Sequence, residues 1–150
     1  MTTVLEDIRA RLHAINQTIS GVKSRAAYDT NIEQLAPVIV PVLGAMTRNV
    51  NVIGSEHAEE VRTYDLLLIV GAWNEALPSV SVQGVADRLV PLVHAAYLSR
   101  PRLELSGAAL NYVKSVKVGG DSGLIAVGDY AAVRIPLTIT YTTAYTINGG

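Results

Sequence analysis

The chain has no cysteine, no phenylalanine and a single tryptophan. Without cysteine there is no disulfide framework, no thiol nucleophile and no thiolate zinc site. The absence fixes no compartment, because a cysteine-free chain tolerates any redox environment. An excess of one charge is also missing. With 12 basic and 13 acidic residues the net charge is −1, so no strong field draws the protein to nucleic acid or to a membrane surface. Long apolar runs are absent too. LLLIVGAW at 66–73 falls far short of the ~18 apolar residues of a membrane span. MTTVLEDIRARLHAI breaks its apolar positions with charges every few residues, unlike a signal peptide.

What the chain does have is apolar bulk. Its 49% hydrophobic residues outweigh 17% charged ones, a surplus that has to be buried somewhere, and a subunit interface is one such place. The 150 residues match a single domain, 1–150. A globule of that size buries roughly 68–70% of its unfolded surface and needs no covalent staple.

Residues 3–20 carry a helical pattern. Thr3 and Glu6 form a capping-box pair, Val4, Ile8, Leu12, Ile15 and Ile19 make one apolar stripe, and Gly21 stands where a C′ glycine belongs. PVIVPVLGA at 37–45 spaces two prolines four apart, which removes two donors from one strand edge and leaves the other edge able to pair; the pattern predicts a short edge strand, or a strand crossing from one sheet edge to a loop. The stretch 48–62 is polar and mixed, with a possible short strand at Val50–Ile53 and otherwise a loop. In VRTYDLLLIVGAW, Tyr64, Leu66, Leu68 and Val70 share one face while Leu67 and Ile69 make the other apolar, so this strand is central. A second helix is predicted over 82–98, capped by Ser79 or Ser81. Its stripe is Val82, Val85, Ala86, Leu89, Leu92, Val93, Ala96 and Tyr97, with Pro91 expected to kink or split it.

The last part is strand-rich, and glycine turns suggest an antiparallel meander. In VRIPLTITYTTAY at 133–145, Val133, Ile135, Leu137, Ile139 and Tyr141 alternate with Arg134, Pro136, Thr138, Thr140 and Thr142. Thirteen extended residues would reach about 43 Å at roughly 3.3 Å each, long for so small a domain. The expected fold class is α+β: a mainly antiparallel sheet of four to five strands with two principal helices on it.

Few motifs suggest chemistry. Gly120-Asp121-Ser122-Gly123 matches the heart of the nucleophile loop of trypsin-like proteases. Here, though, it continues with Leu124 and Ile125, and the chain is too short for two barrels. A glycine-rich turn is the simpler reading, with Ser122 structural. SEHAEE gathers His57 with Glu56, Glu59 and Glu60, but lacks a second histidine at helical spacing and reads as a solvated loop. His13 and His94 lie far apart in sequence, and His94 borders the apolar stripe of its helix, as a half-buried histidine does. No glycine-rich loop opens a helix to cradle a nucleotide, and basic residues are scattered. The pattern predicts no catalytic, cofactor or metal site and points to assembly rather than catalysis.

Taken together, VLEDIRARLHAI, LAPVIVPVL, YDLLLIVGAW, VADRLVPLVHAAYL and YAAVRIPLTITY resemble, in length and order over about 1–145, the tail terminator (tail completion) proteins of long-tailed bacteriophages. That resemblance implies a non-enzymatic virion protein at the head-proximal end of the tail, made in the host cytoplasm. It implies a homo-hexameric ring that caps the major tail tube protein and docks the head-completion or connector protein. It implies no membrane and no sequence-specific nucleic acid, with the ring leaving passage for genomic DNA. Arg134, Thr138, Thr140 and Thr142 are then the candidate subunit-contact residues, the long strand offering a polar edge to a neighbour. Three alternatives stay open: another neck component such as a stopper or adaptor, a small hydrolase built on Ser122, and an oligomeric bacterial domain of another role.

Overall fold

The computed structural model describes residues 3–27, 36–49, 57–73 and 80–144. Helix α1 (Val4–Asn16) is followed by β1 (Lys23–Ser24), β2 (Val38–Asn49) and β3 (His57–Ala72). Then come α2 (Val80–Leu98), β4 (Val113–Val118), β5 (Leu124–Val127) and β6 (Tyr130–Ala144). The fold is α+β. Six strands form one sheet in the order β1-β2-β3-β6-β4, with β5 also on β6, and only the β1–β2 pair is parallel. No helix among the described residues is long and apolar enough to cross a membrane.

Thr3 caps α1 as its sequence suggests. Its hydroxyl accepts the Glu6 backbone N–H at 3.1 Å and donates to the Glu6 carboxylate at 3.2 Å. The helix ends at Asn16, and the chain then turns through Gly21, whose φ of 84° favours glycine. Ile8, Leu12 and Ile15 are fully buried. They meet Val82, Ala86, Leu89, Val93 and Tyr97 of α2 over one face of the sheet, on Tyr64, Leu66, Leu68, Val133, Ile135, Leu137 and Ile139. The Tyr97 hydroxyl ties the helices together, lying 3.2 Å from the Leu12 carbonyl and 2.5 Å from Asn16 Oδ1. A smaller cluster of Val38, Val40, Leu67, Ile69 and Ala132 is buried on the opposite face. Strand β3, between β2 and β6, is thus apolar on both sides along its second half.

Several expectations change. Strand β2 runs for 12 residues rather than being short. The strand predicted from Val61 begins earlier, at His57: residues 57–60, expected as loop, are the first part of β3, and their charges mislead because this end of the strand carries a polar network instead of core. Val50–Ile53 lie outside the described residues. Helix α2 begins before Ser81, and Ser79 is outside the described residues. Pro91 does not split α2. It is exposed, as is Asp87, so the carbonyl that loses its donor can be hydrated. Leu92, assigned to the buried stripe, faces outward at 43% exposure. Finally, β4, β5 and β6 are not a simple meander. Strands β5 and β4 lie one after the other along the same edge of β6: β5 pairs with residues 130–133 and β4 with 137–141.

The outer edge of β2 is blunted. The Pro37 and Ile39 carbonyls receive the N–H groups of Lys23 and Arg25, and Arg9 Nη1 donates to the Pro41 carbonyl at 2.8 Å. Pro37 and Pro41 have no N–H to offer on this side, as their spacing implies. Beyond them the register slips between Leu43 and Met46. Gly44 sits there, so close to β3 that a Cβ would lie 2.5 Å from the Thr63 carbonyl oxygen. Its own carbonyl accepts from Arg62 Nη1 at 2.9 Å.

Candidate subunit-contact face

Pairing along β6 decides where the threonines go. Arg134, Pro136, Thr138, Thr140 and Thr142 aim their backbone groups away from β3, toward β4 and β5. The Pro136 carbonyl accepts from Gly119 N–H at 2.8 Å, and the Arg134 carbonyl accepts from Ser122 N–H at 2.9 Å. Pro136, with no N–H, falls in the gap between β4 and β5, where the GGDSG segment crosses. Strand β6 is therefore paired on both sides and is not an edge. Its length is matched by β3, which it accompanies from Tyr130 to Ala144. The expectation of a polar edge is corrected to a polar face. Pro136 marks a break in the neighbouring strand rather than an open border.

That face lies opposite the two helices. Thr138 stands across from Thr63, Thr140 from Val61, and Thr142 from Glu59. On the other flank Lys117 is opposite Thr138 and Ser115 opposite Thr140, while Thr47 of β2 faces Val61. Four strands thus build a short-chain hydroxyl surface from Thr47, Thr63, Ser115, Thr138, Thr140 and Thr142. The three β6 threonines are half-buried. Arg134 is displaced from this group. Its side chain is 53% exposed and its Nε lies 3.8 Å from Asp65 Oδ2, closer to the apolar cluster than to Thr142. Sequence reasoning found the β6 row but missed Thr47, Thr63 and Ser115, because only cross-strand register brings them together.

Charge enters this surface at its edge strand and at one end: Lys117 of β4 lies opposite Thr138, and a Lys114–Glu59 pair reaches from β4 to β3 across the Thr142 end of β6. Lys114 Nζ is 2.6 Å from Glu59 Oε2. Glu60, on the helix side, is only 5% exposed and binds Arg48 Nη2 at 3.0 Å. Beside it Arg62 Nε donates to the Tyr141 hydroxyl at 3.2 Å. The SEHAEE motif is thus strand from His57 onward, and two of its carboxylates are ion-paired. Tyr64, next along this side, is fully buried and pushed up to about 12 by desolvation, with the Tyr141 phenol adding to the rise.

GGDSG also has a defined environment. Ser122 Oγ accepts the Arg134 N–H at 2.9 Å and donates to the Gly123 carbonyl at 2.8 Å. Asp121 Oδ1 accepts the Gly123 N–H at 2.9 Å, and Asp121 Oδ2 lies 3.1 Å from His94 Nε2. The Gly123 N–H is the main cause that holds the Asp121 carboxyl below its ordinary range, with His94 a lesser one. His94 is half-buried, as its sequence position suggests. Its meeting with Asp121 joins α2 to the loop and is invisible in sequence. A serine nucleophile needs its hydroxyl proton held by a base; here backbone holds the hydroxyl and a carboxylate holds the histidine.

No protein-family model matches this chain, and no curated protein matches its sequence. The functional reading therefore rests on the surface itself and on the sequence pattern.

Proposed function

We propose that this protein is a structural ring subunit of a bacteriophage tail, a tail terminator that closes the tail tube and receives the head connector. The observation that carries the reading is the hydroxyl face shared by β2, β3, β6 and β4. It is built mainly of short hydroxyl side chains, half-buried along β6, with Lys117 on its edge strand and the Lys114–Glu59 pair across its strand ends. Threonine favours strands and offers a donor and two acceptors on a short side chain, so the face remains soluble alone and bonds when covered. Blunted β2 supports the same reading. A subunit with a protected edge meets its neighbours through faces rather than by indiscriminate strand pairing.

Light scattering on the eluting protein tests it. A mass of six subunits, alone or on addition of tail tubes, is expected. A monomer under both conditions overturns the proposal.

A further inference from the structure

We draw no further inference here: the strongest candidate, the groove of about 320 Å3 between helix α2 and the 121–124 segment, lined by Asp87, Val90, Pro91, Asp121 and Leu124, carries nothing, because nothing in the structure shows what covers it.

Discussion

Ser122 Oγ accepts the backbone N–H of Arg134 at 2.9 Å, in a place where a neighbouring strand would supply a carbonyl. The side chain thus bridges the break between β4 and β5. Ser122→Ala removes the acceptor and leaves the Arg134 N–H to water, at a cost of about 0.5–1.5 kcal/mol. Denaturant unfolding measures this. An unchanged midpoint would mean the bond adds nothing to the folded state.

Ile8 and Leu68 meet in the main core, and neither is exposed. Ile8→Ala and Leu68→Ala should each lower stability by about 2–5 kcal/mol, the transfer term plus the cavity left behind. Thermal melts showing less than about 1 kcal/mol lost for both would contradict this packing.

Placing lysine at Thr138 and Thr140 together tests the proposed ring contact. Both side chains point away from the helices, so the subunit should keep its circular dichroism spectrum. Lys117 lies across from Thr138, and a like-charge pair there costs the subunit itself no more than about 1 kcal/mol. At a covered junction the added charges should cost a few kcal/mol, on the order expected for uncompensated interfacial charge, and the ring should not form. Normal assembly of the double variant would return the threonine face to solvent.

Asp121 gives the fold an acid-sensitive point. Its carboxyl is held below the usual value of 3.8, first by the Gly123 N–H and then by His94. A depressed carboxylate contributes stability that is present above its unfolded value and is lost as pH falls through the folded one. The loss should therefore fall below about pH 4. Asp121→Asn should flatten the stability curve there relative to the parent chain. Curves of the same slope would show that Asp121 is not linked to folding.

The parts of this fold that sequence reveals are those whose cause is local. The Thr3 cap, the Ile8–Leu12–Ile15 stripe and the doubly apolar run from Leu66 to Val70 each carry their signal within a few residues. The alternation of β6 showed correctly which residues point together. It carries no sign that β3 and two further strands pair with β6, so alternation alone does not distinguish a face from an edge. The strand start at 57–60 is hidden for the converse reason. Glu60 and Arg62 occupy core-facing positions and find their partners in Arg48, Tyr141 and Gly44, contacts that no periodicity of apolar residues reports. Leu92 looked buried because it neighbours Val93 and Leu89 on the helix, and a difference of one position separates the inside from the outside. His94 and Asp121 meet across 27 residues, a distance at which single-sequence patterning carries no information.

Gly44 has one more consequence. With a would-be Cβ 2.5 Å from a backbone oxygen of the adjoining strand, no flexible side chain can yield to make room. In a saturation library scored only for survival, this position should stand out as one where nearly every replacement is lethal. A map of tolerance drawn from such a screen would place a false active site at the β2 bulge, marking steric exclusion in the same colour as chemistry.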